Sequence, residues 1–140
     1  MTDATERADE YFAHEAPPGG AAAGRRGAWH DLEGIEPVEF VPGLSIRAVV
    51  GDGVMVNFVS YEPGTIVPEH SHAEEQIAFV LEGEFEFEID GEKRLLRPGM
   101  AAHIPPHVPH AARTFDSHCV QVDVFVPPRR VLLDVLRGDG

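Results

Sequence analysis

The chain has a single cysteine, Cys119, so no intrachain disulfide can brace it. It is also short of positive charge. Eleven Lys and Arg stand against 24 Asp and Glu, a formal net charge of −13. Nucleic acid and anionic membrane surfaces both call for basic patches, so this balance argues against either as a partner. No apolar run approaches the roughly 18 residues of a membrane-spanning helix. The opening MTDATERADEYF lacks the basic-then-apolar layout of a signal peptide, and the expectation is a cytoplasmic protein. There is no internal repeat. The 140 residues predict one domain, long enough to bury a real core.

Proline and glycine, by contrast, are plentiful, with 12 and 14 copies. From Val38 onward they separate short apolar segments, the signal of a β-sandwich or barrel. Leu44–Val50 alternates, with Leu44, Ile46, Ala48 and Val50 on one face and Arg47 on the other. Val54–Tyr61, Ile66–His72, Gln76–Leu81, Ala101–Ile104, His110–Phe115 and Val120–Val126 read as further strands. In the last of these, Gln121, Asp123 and Phe125 oppose Val120, Val122 and Val124.

Residues 1–28 read as a mobile N-terminal extension and 29–140 as the domain. Ala4–Glu15 can form a short helix with Ala8, Tyr11 and Phe12 on one face, followed by the connector PPGGAAAGRRG. Trp29 is expected to open the ordered body as a packing anchor. Val131–Arg137 can form one or two helical turns packing Leu132, Leu133 and Leu136. Cys119 is expected to be a small buried hydrophobe.

Between Gly83 and Asp90 the even positions are Glu84, Glu86, Glu88 and Asp90, and the odd ones Phe85, Phe87 and Ile89. A row of carboxylates is too costly to bury. The inward face, set upstream by Gln76, Ala78 and Val80, must therefore change parity at Glu82-Gly83, through a tight hairpin or bulge.

The chemistry concentrates in two stretches, GTIVPEHSHAEEQIAFVLEG from Gly64 to Gly83 and PPHVPH from Pro105 to His110. Residues i and i+2 of an extended strand point to one face, so His70 and His72 can hold one cation together. Imidazole suits Zn, Cu, Fe and Ni alike. Gln76 adds a neutral carbonyl oxygen, and His110 must arrive from another strand. An isolated H-x-H is as often a polar loop as a metal site; the spacing around it decides.

That spacing resembles the cupin superfamily. Its first motif runs Gly, five residues, H-x-H, three or four residues, Glu, six residues, Gly. Here Gly64, His70, His72, Gln76 and Gly83 keep every interval, with Gln76 in place of Glu. The second motif, Gly, five residues, P-x-G, two residues, His, is matched by Gly99, Pro105, Pro106, His107 and His110. His107 replaces a glycine, and Thr114 stands where many members have Asn. The likeness covers roughly residues 40–127.

The resemblance implies an all-β fold, an antiparallel β-barrel of the double-stranded jelly-roll type with short terminal helices. It implies one divalent ion per subunit, Zn, Ni, Fe or Mn, held by His70, His72, Gln76 and His110. A cavity lined by Phe85, Phe87, Val80, Phe125 and Met100 would then take a small-molecule substrate. His103 and Asp123 are the candidate proton carriers, and His103 is also a candidate extra ligand. A neutral Gln76 leaves the ion less neutralised, which favours Lewis-acid work. Small single-domain cupins of this type are similar to polyketide cyclases and to sugar-uronate ring-opening enzymes. The expected activity is therefore a metal-dependent, non-redox cyclase or isomerase for a polyketide-like substrate in secondary metabolism. An Fe(II) dioxygenase, a uronate ring-opening enzyme and a non-enzymatic ligand-binding cupin are the alternatives. The ring-opening enzyme needs a cavity cation, for which Arg47 and Arg113 are the sequence candidates. A homodimer is expected from the resemblance, from the unpartnered N-terminal segment and from the apolar Val131–Leu136 tail.

Overall fold

The computed structural model describes residues 3–15 and 26–138. Among the described residues, ten strands form two antiparallel sheets. They are β1 (Val38–Val41), β2 (Leu44–Val50), β3 (Met55–Tyr61), β4 (Ile66–His70), β5 (Glu75–Gly83), β6 (Phe85–Ile89), β7 (Glu92–Leu96), β8 (Ala101–Ile104), β9 (His110–Arg113) and β10 (Cys119–Val126). The six-stranded sheet runs β1-β2-β3-β10-β5-β8 and the four-stranded sheet β4-β9-β6-β7. Helix α1 (Ala4–Tyr11) precedes them and α2 (Arg130–Leu136) follows. This is the double-sheet barrel that the punctuated alternation implied.

Alternation decides which side chains enter. Along β5, Gln76, Ala78 and Val80 are buried, and along β10 Gln121, Asp123 and Phe125 face them in register. At Gly83, whose φ is +72°, the inward parity changes, so that Phe85 and Phe87 are buried on β6 and the glutamates point away. Complete burial of Phe85, Met55, Val59 and Ile104 contributes about 1.5–3 kcal/mol each. Leu132 of α2 packs with Met55 and Phe125 in a separate cluster of buried residues.

Strand β4 lies at the edge of its sheet, so Pro68, which has no N–H to give, costs no ladder bond there. Thr65 and Thr114 lock it to β9. Thr65 N–H donates to Thr114 Oγ1 at 3.0 Å, Thr114 N–H to the Thr65 carbonyl at 3.0 Å, and the Thr114 hydroxyl to the Glu62 carbonyl at 2.6 Å. Thr114 is thus a structural clasp.

Three expectations need correction or bounding. Trp29 is fully exposed and anchors nothing, because no apolar surface among the described residues reaches it. β7, with Glu92, Lys93 and Arg94, is an additional edge strand whose charges mask any apolar alternation. The connector lies largely outside the described residues, while α1 ends at Tyr11 and buries none of its residues. No described helix is long and apolar enough to cross a membrane.

Candidate metal centre

His70 ends β4, His72 lies two residues on, and His110 begins β9, directly opposite His70 in register. One ring nitrogen from each lies within 4.8 Å of the others. Each ring is aimed by a carbonyl two residues away. His70 Nδ1 pairs with Pro68 at 2.8 Å, His72 Nδ1 with Glu74 at 2.9 Å, and His110 Nδ1 with Val108 at 2.9 Å. A carbonyl only accepts, so Nδ1 carries the hydrogen and Nε2 keeps its lone pair. The second motif is fastened to the first by His107, whose N–H donates to the His72 carbonyl at 2.7 Å. His107 has a φ of +69° and is exposed, which accounts for a glycine being usual there.

Gln76 completes the group. Its Oε1 lies 3.1 Å from His72 Nε2, and its Nε2 donates to Asp123 Oδ1 at 2.7 Å. His72 Nε2 and Gln76 Oε1 are then two lone-pair atoms face to face, an arrangement that a cation between the donors satisfies. Nε2 of His110 is buried with no hydrogen-bond partner among the described residues. Burial holds the pKa of His72 below its usual value, with Arg129 adding to the effect, and pushes that of His110 down to about 4. The His72 and His110 rings therefore stay neutral and available as ligands near neutral pH. Three imidazoles and an amide oxygen fit a borderline divalent ion.

The donors open into a cavity of about 240 Å³ whose wall includes Phe40, Val59, Tyr61, Phe87, Phe125 and Leu132. Asp123 shares it. Burial lifts the Asp123 carboxyl to about 7, against the pull of the amides of Gln76 and Gln121, both of which donate to Oδ1. Oδ2 takes no hydrogen bond from the described residues.

His103 does not belong here. Ile104 is fully buried, so strand alternation turns His103 outward, where it pairs with Glu75 at 2.6 Å on the exposed face. Of the expected wall residues, Phe87 and Phe125 line the cavity. Val80 and Phe85 are buried in the core without lining it, and Met100 is partly exposed elsewhere. Arg47 donates to the Ile35 carbonyl at 2.9 Å, and Arg113 lies over the Phe115 ring, so neither serves the cavity. The cation that does is Arg129, just before α2, which the sequence reading missed. Glu74, itself buried, holds it from behind, 3.4 Å from Arg129 Nη1 and 3.2 Å from the Arg130 N–H.

Comparison with known proteins agrees with this geometry. The family model described as a cupin domain matches residues 57–125. The pectin degradation protein KdgF of Dickeya dadantii is 35% identical over 79 residues, covering 56% of this chain and 72% of that protein. Dimethylsulfoniopropionate lyase DddQ of Ruegeria pomeroyi is 35% identical over 86 residues, and this chain spans 43% of its length. The solved structure of KdgF from Halomonas superposes with a TM-score of 0.71 at 28% identity, covering 75% of this chain and 99% of that one. With both motifs matched in sequence and their histidines brought together in space, the chain belongs to the cupin family.

Proposed function

We propose that the protein is a metal-dependent, non-redox enzyme that opens the ring of a small unsaturated uronate. The observation that carries this reading is that a guanidinium, Arg129, and a carboxyl group tuned near neutrality, Asp123, line the same small cavity as the donor cluster. A uronate brings the carboxylate that Arg129 is suited to receive. The volume also favours it, because 240 Å³ lies below the roughly 300–1,000 Å³ of pockets for drug-sized ligands and suits one sugar ring. The relationship to a pectin degradation protein points the same way, since pectin is a polyuronate.

His70, His72, Gln76 and His110 would hold the ion, which supplies Lewis-acid polarisation of a substrate oxygen. Arg129 binds the carboxylate and Phe125 and Phe87 exclude water along the wall. Asp123 Oδ2 takes the proton of the anomeric hydroxyl as the ring C–O bond breaks. In an unsaturated uronate the departing ring oxygen is vinylic, so it leaves as an enolate. The proton held by Asp123 then goes to the enolate carbon, giving an open-chain keto aldehyde. One proton is moved and no electron is gained or lost.

The apolar wall favours a second reading, the cyclase for a polyketide-like substrate expected from the sequence. The same acid would there move a proton to or from an enolisable carbonyl. The distinguishing experiment loads the protein with Zn²⁺ or Ni²⁺ and offers it, without oxygen, an unsaturated uronate and a β-polyketone in parallel. Loss of the conjugated ultraviolet absorbance of the uronate, abolished by chelation, is expected. Turnover of the polyketone alone would transfer the assignment to the cyclase. Strict dependence on O₂ and Fe(II) would transfer it to a dioxygenase.

A further inference from the structure

A hydrogen-bond chain with a fixed direction at every link runs into the donor cluster. The Tyr61 hydroxyl donates to Gln121 Oε1, and both residues are buried. That occupies the amide oxygen of Gln121 and leaves its Nε2 to donate to Asp123 Oδ1. The same Oδ1 accepts Nε2 of Gln76 at 2.7 Å. A phenol has one hydrogen to give and a carboxylate oxygen has none. The NH₂ of Gln76 must therefore turn to Asp123, and its Oε1 to His72 Nε2 at 3.1 Å.

We propose that Asp123, held by Gln121 and Tyr61, is the positioning residue that makes position 76 an amide, fixing which end of Gln76 meets the ion and disfavouring a carboxylate there. A glutamate at this position would set two carboxylate oxygens at the 2.7 Å spacing now bridged by an N–H. When both are ionised, with no hydrogen between them and little water near, like charges oppose each other strongly. The register makes the contact obligatory. Asp123 stands opposite Ala78 and Phe125 opposite Gln76, so Asp123 and Gln76 are diagonal neighbours on one inward face. The departure of Gln76 from the motif glutamate is thus the counterpart of an acid on β10. The proposal rests on the metal-centre reading of the four donors and on no particular substrate.

The test is a cycle of metal-free proteins, namely the parent, Gln76→Glu, Asp123→Asn and the double variant, melted at pH 8. Gln76→Glu is expected to melt lower, and adding Asp123→Asn to recover at least half of the loss. Gln121 still donates to the asparagine carbonyl at the Oδ1 position, and the charge that opposed the glutamate is gone. Losses that simply add would overturn the proposal. A second comparison reads position rather than stability. Asp123→Asn and Asp123→Leu both remove the charge, but only the first keeps an acceptor for Gln76. By calorimetric titration with Zn²⁺, the leucine variant is expected to bind about 10–100-fold more weakly than the asparagine variant. Equal affinities would overturn the proposal, and this comparison decides the matter if Gln76→Glu does not fold. A parent that binds no Zn²⁺ would instead refute the metal centre and leave the melting cycle to judge.

Discussion

Gly83 lies so close to His118 that a Cβ on the glycine would run into the His118 carbonyl oxygen, with the Cα of Cys119 at 3.1 Å. The contact sits where β5 leaves β10 and the inward parity changes, and Gly83 has a φ of +72° there. Backbone cannot retreat as a flexible side chain would. Gly83→Ala should therefore destabilise the fold by about 2 kcal/mol or more, combining the left-handed conformation with the clash. Thermal melting of the metal-free protein checks this; a loss under about 0.5 kcal/mol would show that the crossing relaxes freely.

Substituting His72 or His110 by alanine should abolish stoichiometric Zn²⁺ while leaving the β-sheet circular dichroism unchanged. The buried cluster of Phe85, Val59 and Ile104 holds the barrel together without the ion, unlike a zinc finger, whose folding is its metal binding. Metal analysis after dialysis reads the outcome, and full metal content in both variants would dismiss the centre.

Arg129→Gln should raise KM for an anionic substrate roughly 10- to 100-fold with a smaller change in kcat, since a charged hydrogen bond is worth about 1.5–3 kcal/mol. Steady-state kinetics with a uronate and with its amide decide it. An equal effect on both substrates would mean that Arg129 acts through Glu74 and α2 rather than on the carboxylate.

The pH dependence of the metal-free protein has two opposed parts. His110, lowered by burial to about 4, contributes stability that is present above about pH 6.5 and lost as pH falls towards 4. Asp123, raised by burial to about 7, works in the opposite sense, its contribution being present at low pH and lost as pH rises through 7. Asp123→Asn removes the second part. The melting temperature of the parent minus that of the variant should therefore grow between pH 7.5 and pH 4.5. A constant difference would place the Asp123 carboxyl near its ordinary value.

Much of the site was legible because strands have a period of two. The glutamate row located the parity change at Gly83 and the alternation of β10 aligned Gln121, Asp123 and Phe125, while the H-x-H spacing named His70 and His72 although β4 ends at His70 and His72 lies beyond it. His103 was misplaced although the same rule, applied from the buried Ile104, turns it outward. Arg129 carries no periodic signal. It stands in the Pro-Pro-Arg-Arg break after β10, and its direction is set by Glu74, which is 55 positions away. Trp29 offers only its residue type, and no pattern around it says what it packs against.

Each imidazole of the cluster is steered by a carbonyl only two positions from it, so its aim is a property of a short peptide and not of the whole wall. Substitutions at Phe40, Val59 or Leu132 can remodel the cavity without turning a donor. The aim of the three rings is thereby uncoupled from the shape of the wall.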